Sequence, residues 1–354
     1  MSVIVEQAAA KQTDKPKMPI VRKIGKYEVL SHQIGEGGFC CVYPCQHSSS
    51  SKTQVAMKLS LKQVEDCEND AKWAATKREW QVYQSMAFGR SQDSQRSGIP
   101  AVYECGFVQT SRGIHSWMSM QLLGPDMRFL ANNQLIPRAT HFIPYATAML
   151  AALQYVHKHG IVHNDVKPAN FCLAVGNIQA TSKVYIVDFG LATAAPNKDY
   201  ARLDMNYMCS SFQGTPDYAS TDALNDVRCS AKDDLESLGY AFLEMFIGDL
   251  LWDLCKDVPY EGVDYFSKAQ LRTMARVRDK QWEDSSAKGE IPTFLITWRR
   301  YVRSLKAFEA PSYAWLFRLI QHSQDKPVAH GPTKHLREAE DEHSAKRVKI
   351  TCEE

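Results

Sequence analysis

The chain has 354 residues, of which 44% are hydrophobic and 23% are charged, and its formal net charge is +2. This length allows one large domain or two lobes with a buried core, and the composition is ordinary for a globular protein. The small net charge excludes a strong nonspecific attraction to nucleic acid or to a membrane surface. The ten cysteines lack metal-ligand spacing, so we expect reduced thiols in an intracellular protein.

Both ends of the chain are polar and predict flexible tails over residues 1–25 and 326–354. The start has no apolar core of signal-peptide length, and no run reaches the roughly 18 apolar residues that a membrane span requires. The C-terminal tail contains Lys346-Arg347-Val348-Lys349, which matches a short nuclear-import pattern that is also common by chance. We expect a protein of the cytoplasm or the nucleus, without a membrane partner and without direct binding of nucleic acid.

The first predicted strands surround a glycine-rich turn. Apolar residues in Tyr27-Glu28-Val29-Leu30 and Cys41-Val42-Tyr43 predict strands, with Gly35-Glu36-Gly37-Gly38 between them. Such glycines let main-chain N–H groups face phosphate oxygens, although a plain turn explains many hairpins of this kind. A later segment, Gln54-Val55-Ala56-Met57-Lys58, predicts a strand with one lysine and strengthens the interpretation as a phosphate site.

The pattern then changes to helix and back to strand. A helix is predicted over residues 70–88, because apolar residues recur there around Glu79. Gly98-Ile99-Pro100 and Cys105-Gly106 are expected to punctuate two short strands. The segment from Ser116 to Leu123 predicts a strand that runs into a Gly-Pro turn.

The strongest chemical signal follows a helix predicted from Pro144 to His159, which Gly160 should end. The next segment, His163-Asn164-Asp165-Val166-Lys167-Pro168-Ala169-Asn170, places an acid, a lysine and an amide close together. An apolar run then leads to Asp188-Phe189-Gly190. A carboxylate for a hydroxyl, a cation for phosphate and two oxygen ligands for a metal are the parts that phosphoryl transfer needs.

The remaining chain is predicted to be mainly helical, including residues 265–325. An apolar helix opens at Asp233-Asp234-Leu235, and we expect Asp234 to bind back to the loop that carries Asp165. The histidines of the loop region suit structural roles better than a metal site, because no cysteine or carboxylate has matching spacing: His157, His159, His163. Four cations form a basic face that is usually solvated but also suits an anion or a partner: Arg299, Arg300, Arg303, Lys306.

The strings HNDVKPAN and VDFG resemble the catalytic loop and the metal-binding turn of protein kinases. Over about residues 26–322 the chain is similar to the casein kinase 1 superfamily, which includes the vaccinia-related kinases. The strings that carry this narrower resemblance are GIPAVYECG, MQLLGPDM, HNDVKPANF, VYIVDFGLA, GTPDYAS and DDLESLGYAFLEM. The resemblance implies a monomeric serine/threonine protein kinase that transfers the γ-phosphate of ATP to proteins.

The fold class implied by the resemblance is α+β with two lobes over residues 26–325. The N-lobe, about 26–120, would contain a small antiparallel sheet and one main helix. A hinge at about 121–125 would lead to a larger, mainly helical C-lobe over about 126–325.

The resemblance also assigns roles to residues. Asp165 and Lys167 would be catalytic, and Asn170 with Asp188 would hold Mg²⁺, or Mn²⁺ in its place. Lys58 would grip the non-transferred phosphates, held by Glu79, for which Glu68 is a weaker candidate. The nucleotide site would comprise Ile34, Gly35, Gly37, Gly38, Val42, Ala56, Lys58, Glu79, Met120, Gln121, Leu123 and Cys172.

The chain departs from the kinase pattern at three positions. Cys40 replaces the third glycine of the glycine-rich loop, which predicts an altered loop rather than a lost site. Asn164 replaces an arginine that grips a phosphorylated activation loop in many kinases, so control of that kind is not expected. In residues 214–220, which are expected to lie near the substrate and are called the substrate segment, Thr215 is expected to bind Asp165 and Lys167. Asp217 stands where casein kinase 1 itself has an arginine that recognises phosphate-primed or acidic substrates, which predicts a preference for neutral or basic sequences.

Two other functions fit parts of the pattern. An inactive pseudokinase that serves as a binding scaffold would keep the fold but lose metal or lysine positions, and this chain retains Lys58, Asp165, Lys167, Asn170 and Asp188. A kinase-like enzyme acting on a small molecule is disfavoured by the Gly214-Thr215 segment and the long helical C-terminal part.

Overall fold

The computed structural model describes residues 22–30, 33–36, 40–49, 54–60, 71–87, 98–110, 113–133, 135, 138–176, 183–195, 212, 214–258 and 266–323. The N-terminal part of this range is mainly an antiparallel sheet, and the C-terminal part is mainly helical. The predicted α+β class is therefore confirmed. The nuclear-import-like Lys346-Arg347-Val348-Lys349 and the weaker candidate Glu68 lie outside the described residues.

Seven strands form the N-terminal sheet, in the order β1-β2-β4-β5-β7-β6, with β3 paired to β4. Every neighbouring pair in this sheet is antiparallel. The helix α1, Ala71–Ala87, packs against β6 and β7. The strands are β1 Lys23–Ile24, β2 Tyr27–Val29, β3 Gly35–Glu36, β4 Cys40–His47, β5 Gln54–Ser60, β6 Val102–Thr110 and β7 Gly113–Gln121.

Strand β5 is buried on both faces, and its alternation determines where Lys58 lies. Val55, Met57 and Leu59 belong to a small apolar cluster with Trp117 on one face of the sheet. Successive side chains of a strand point to opposite faces, so Lys58 shares the other face with Ala56. Ala56 belongs to the main core, which runs between the sheet and the helices. The lysine is thus directed to the side of the sheet that faces the C-terminal part.

The C-terminal part consists of eight helices and two short antiparallel strand pairs within the described ranges. β8 pairs with β11, and β9 pairs with β10. The helices are α2 Met127–Asn132, α3 Arg138–Lys158, α4 Thr221–Leu224, α5 Ala231–Ile247, α6 Leu254–Asp257, α7 Lys268–Ala287, α8 Thr293–Ser304 and α9 Tyr313–Gln321. The strands are β8 Ile161–Val162, β9 Phe171–Leu173, β10 Val184–Ile186 and β11 Thr193–Ala194.

Helix α5 is the centre of this part, since nearly all of its residues are buried. Ser230 and Asp233 form a capping box at its start, and Gly248 ends it with φ of 97°. Helix α8 packs closely on α5, where the Trp298 indole N–H donates to the Leu235 carbonyl at 2.8 Å. A Cβ on Gly239 would lie 2.8 Å from the Trp298 ring, so only glycine allows this close approach. This close packing holds α5 in place, so that the helix can support the loops that contact it.

Three local expectations are corrected by the structure. Lys23–Ile24, predicted as part of a flexible tail, form β1, and Ile24 is fully buried. Cys105-Gly106 does not separate two strands but lies inside β6, because Gly106 leaves room for the Trp117 ring at 3.1 Å from a hypothetical Cβ. Helix α3 begins at Arg138 and contains Pro144, rather than beginning there. None of the helices in the described ranges is both long enough and apolar enough to cross a membrane.

Candidate active site

The segment between β8 and β9 concentrates polar groups around Asp165. The Lys167 ammonium donates to Asp165 Oδ2 at 2.7 Å, and the Asn170 amide donates to Oδ2 at 3.1 Å. The same Asn170 amide donates to the Asp165 carbonyl at 2.7 Å, which ties the 3-10 turn Pro168–Asn170 to the acid. The predicted grouping of acid, lysine and amide is thus present in space as well as in sequence.

Thr215, which lies 50 positions after Asp165 in the chain, completes this group. Its hydroxyl donates to Asp165 Oδ1 at 2.9 Å and accepts from the Lys167 ammonium at 2.8 Å. The predicted contacts of Thr215 are therefore present. With donors on both oxygens and only 9% exposure, the Asp165 carboxylate is held in one orientation.

A second charged group connects the sheet, α1 and the segment after β10. The Lys58 ammonium lies 2.9 Å from both Glu79 oxygens and 2.8 Å from Asp188 Oδ1. Lys58 lowers the pKa of Asp188 to about 2, which keeps this carboxylate ionised at neutral pH. Burial raises the pKa of Glu79, and the nearby Lys58 charge opposes that effect. The predicted pairing of Lys58 with Glu79 is therefore present in the structure.

The backbone at Asp188 is fixed by aromatic packing behind it. Asp188 has φ of 69°, and its N–H donates to the Tyr83 hydroxyl at 3.1 Å. The buried Phe189 ring lies with its centroid 4.9 Å from Tyr83 and 4.9 Å from His163. The His163 Nε2 donates to the Val187 carbonyl at 3.0 Å. This packing directs the Asp188 side chain away from the core and toward Lys58.

Asp234 supports the Asp165 loop from below, as predicted. Its carboxylate accepts the N–H of His163 at 2.7 Å and the N–H of Asn164 at 2.8 Å. His157 Nε2 donates to the same carboxylate at 2.8 Å, while its Nδ1 contacts the Tyr313 hydroxyl of α9. No sequence pattern pointed to Tyr313, which lies far along the chain.

The histidines have the structural roles that the sequence favoured. His159 Nδ1 contacts the Tyr155 carbonyl at 2.8 Å, and the contacts of His157 and His163 are those given above. Among the described residues, no group of three or more histidine, cysteine or acidic side chains could hold a metal ion by itself.

Strand pairing brings together most of the residues predicted to surround a nucleotide. Gly35 pairs with Val42, and Val42 pairs with Lys58, so the three form a line across β3, β4 and β5. Ala56 pairs with Met120 on the neighbouring strand β7. Ala56 and Met120 are both buried in the main core, with Val42 packed against it. This face of the sheet therefore has an apolar wall next to a lysine.

The remaining predicted contacts lie at the borders of this wall. The Ile34 N–H donates to the Val42 carbonyl at 2.8 Å, which fixes the entry to β3. The backbone of Cys172 on β9 pairs with that of Asp126 in an isolated antiparallel β-bridge. Burial raises the pKa of the Cys172 thiol to about 12. Burial likewise raises the pKa of Cys40 to about 12, so this thiol is neutral where β4 begins. Gly37 and Gly38 lie outside the described residues.

Gln121 and Leu123, at the end of β7 and just after it, differ in whether their backbone N–H groups are free. The Gln121 N–H donates to the Ala101 carbonyl at 2.8 Å, so it is not available to a ligand. In the described part of the chain, nothing accepts a hydrogen bond from the Leu123 N–H. Of these two residues, both predicted for the nucleotide site, Leu123 therefore keeps a free backbone N–H within the described part of the chain, whereas Gln121 does not.

A family model for the protein kinase domain matches residues 27–291, which is more than half of the chain. The chain belongs to the protein kinase domain family. This membership supports phosphoryl transfer to protein substrates with ATP and a divalent metal. The kinase fold expected from the resemblance is confirmed, with the antiparallel sheet in the N-terminal region and the helices in the C-terminal region. The resemblance to the casein kinase 1 superfamily stays a prediction.

Asn164, one of the departures from the kinase pattern, has a structural role of its own. It adopts φ of 65°, a left-handed conformation that asparagine tolerates well. Its side-chain amide donates to the Leu191 carbonyl at 2.8 Å and to the Thr193 hydroxyl at 3.0 Å. The loop that carries Asp165 is thus joined directly to the segment that follows Asp188.

Asp217, another departure from the family pattern, is only partly available to a substrate, because it also accepts hydrogen bonds within the protein. Its Oδ1 accepts the Leu254 N–H at 2.7 Å, and its carbonyl accepts the Trp252 indole N–H at 2.9 Å. Burial raises the pKa of Asp217, and Asp253 acts in the same direction. The carboxylate therefore fixes the start of α6 in addition to any effect on substrates.

Proposed function

We propose that this kinase phosphorylates serine and threonine residues of proteins. The observation that carries the proposal is the Asp165 carboxylate, held by donors from Lys167, Asn170 and Thr215. In this role Asp165 orients the acceptor hydroxyl and takes its proton as the new bond from oxygen to phosphorus forms. The bond from the γ-phosphorus to its bridging oxygen breaks, and ADP leaves with that oxygen. Lys167 offsets charge on the phosphoryl group during transfer.

The residues proposed to hold a divalent metal have unused oxygen atoms. The Asn170 amide nitrogen is fully engaged with Asp165, and no donor in the described chain reaches its Oδ1. Asp188 uses Oδ1 for Lys58, while its side chain is 44% exposed and ionised at neutral pH. An ionised carboxylate and an amide oxygen are suitable ligands for Mg²⁺ or Mn²⁺. A cation held there would neutralise charge on the phosphate oxygens, and Lys58 would bind the phosphates that are not transferred.

The acidic surroundings of the substrate segment support a preference for neutral or basic acceptor sequences. Tyr218 donates to Glu244 at 2.6 Å, and Asp249 and Asp217 lie close enough to raise the pKa of Glu244 further after burial. The exposed Arg128, 3.9 Å from Glu244, offsets only part of this negative charge. Phosphorylation of a peptide array measures the preference, and strong selection for acidic or phosphorylated positions would contradict it.

The contacts of Asn164 support activity without phosphorylation of the activation loop. In kinases with an arginine at this position, a phosphate draws the loop to the catalytic segment. Here the Asn164 amide makes neutral hydrogen bonds to Leu191 and Thr193 without any phosphate. Phosphatase-treated protein should therefore keep its initial rate, and a large loss of rate would refute the idea.

The Asp165→Asn variant tests the catalytic assignment. Replacing the carboxylate removes the proton acceptor, and the rate of transfer should fall about a hundredfold, as for loss of one strong electrostatic contact. The rate is measured with magnesium-ATP and one basic and one acidic test protein, and mass spectrometry locates the phosphate. Asp284→Asn, an exposed acid on α7, is the matched control and should leave the rate unchanged.

The same assay separates the rival functions. Magnesium-dependent binding of ATP in a thermal-shift assay, with no transfer to any protein including the enzyme itself, would favour a pseudokinase scaffold. Phosphotyrosine as the main product would contradict the serine/threonine assignment. The monomeric state and the residence in cytoplasm or nucleus stay predictions, and light scattering measures the first of them.

A further inference from the structure

A groove of about 640 Å³ lies along α7 beside the end of α4. Arg272, Arg276 and Lys280 line this groove, and all three side chains are exposed. Their spacing of four residues puts them on one face of α7, so they form a straight row. We call these three residues the α7 basic row.

The α7 basic row has no partner among the residues that the structure describes. Across the described residues, none of its side chains forms an ion pair or a hydrogen bond. Other cations of the same helix do have partners, since Lys268 lies 2.6 Å from Asp226 and Arg278 is buried and donates to the Ala219 carbonyl. Like charges four residues apart destabilise a helix, so this row lowers the stability of α7. No ion pair within the described residues offsets that effect.

Carboxylates in the groove do not cancel this charge. Asp279 lies in the groove, but Arg299 binds it at 2.6 Å and Arg303 at 2.8 Å. Arg303 also binds the buried Glu236 at 2.8 Å. Glu283 at one end of the groove is the remaining acid. Arg299 and Arg303, two residues of the predicted basic face, therefore form ion pairs inside the protein. Among the residues that line the groove, the cations without such partners lie on α7.

We infer that the groove docks an acidic segment of a protein substrate, with Asp or Glu at every second residue. The row places cations about 6 Å apart, because a helix rises about 1.5 Å per residue. An extended peptide places alternate side chains on one face about 6.6 Å apart. Three alternating carboxylates therefore match the three cations of the row, whereas adjacent carboxylates point to opposite sides.

The groove suits a peptide better than a nucleic acid strand. Glu283 closes one end and would repel a phosphate backbone that continued past Lys280. The lining residues in the described chain include no aromatic ring on which a base could stack. The groove also follows directly from the substrate segment, because α4 begins at Thr221, shortly after Thr215. This inference rests on the proposed function, and it places the acidic segment away from the acceptor residue.

Binding of fluorescent peptides tests the groove without any need for catalysis. One probe carries three glutamates that alternate with serine, a second carries the same glutamates side by side, and a third has glutamine in their place. The variant Arg272→Gln/Arg276→Gln/Lys280→Gln should bind the alternating probe about tenfold more weakly, for the loss of three exposed ion pairs. The control Lys23→Gln/Lys288→Gln/Arg318→Gln removes the same charge from exposed positions elsewhere and should bind like the wild type.

The outcomes decide the inference. Wild-type binding should be tightest for the alternating probe and should weaken with salt. Equal binding by the groove variant and the wild type would overturn the inference, as would tighter binding of a single-stranded oligonucleotide than of the alternating probe. In kinetics, the groove variant should raise KM about tenfold for a substrate linked to the alternating segment, with kcat and the short substrate unaffected. Peptide binding without any phosphoryl transfer would leave the groove in place and refute the proposed function instead.

Discussion

Replacement of Asp234 by asparagine should weaken the attachment of the loop that carries Asp165 to α5. The carboxylate is only 2% exposed and accepts the N–H groups of His163 at 2.7 Å and Asn164 at 2.8 Å. An asparagine retains one oxygen, so one of these N–H groups would face an amide that also donates. The lost hydrogen bond to a charged acceptor costs about 1.5–3 kcal/mol, and the remaining contacts weaken when the charge is removed. We expect a total loss of about 3 kcal/mol of stability.

This loss should appear in both unfolding and catalysis. The melting temperature should fall by roughly 6 °C. Because the loop carries Asp165, even a small displacement should lower kcat on the order of a hundredfold. The KM for ATP should hardly change, since Lys58 and Glu79 do not touch Asp234. Calorimetry and single-turnover transfer measure these effects, with Asp284→Asn as the control; an unchanged melting temperature together with an unchanged kcat would refute the reasoning.

Three further changes test other parts of the site. Glu79→Gln removes the charge that holds Lys58 on one side, so kcat/KM for ATP should fall at least about tenfold, measured by initial rates. Asn164→Arg loses the amide contacts and places an arginine at positive φ, so the basal activity of this variant should fall. The activity of the wild type should not change on phosphatase treatment. Although burial opposes it, Arg303 lowers the pKa of Glu236 to about 2. The ionised Glu236 therefore stabilises the folded protein fully above about pH 4.3, and this stabilisation is lost as the pH falls toward 2. The stability of Glu236→Gln in acid unfolding should therefore depend less on pH in that window.

The sequence alone determined the groups that lie close along the chain. Asp165, Lys167 and Asn170 meet because a short turn allows few arrangements for residues so near each other. The period of two in β5 placed Lys58 on the face of Ala56, and the apolar period predicted α5 and α1. These local rules depend on covalent geometry and on hydrophobic periodicity, which are both readable from the residues.

Contacts between distant residues were decided by the tertiary structure. Lys58 and Asp188 are separated by 130 positions, and only the packing of the sheet on the helical part brings them within 2.8 Å. The same packing occupies the Gln121 N–H with Ala101 and joins Tyr313 to His157. No spacing rule predicts such pairs, because strand register and helix packing determine them through the burial of many side chains at once. The sequence therefore identified the chemical groups of the site, whereas packing determined which of them are engaged and which remain free.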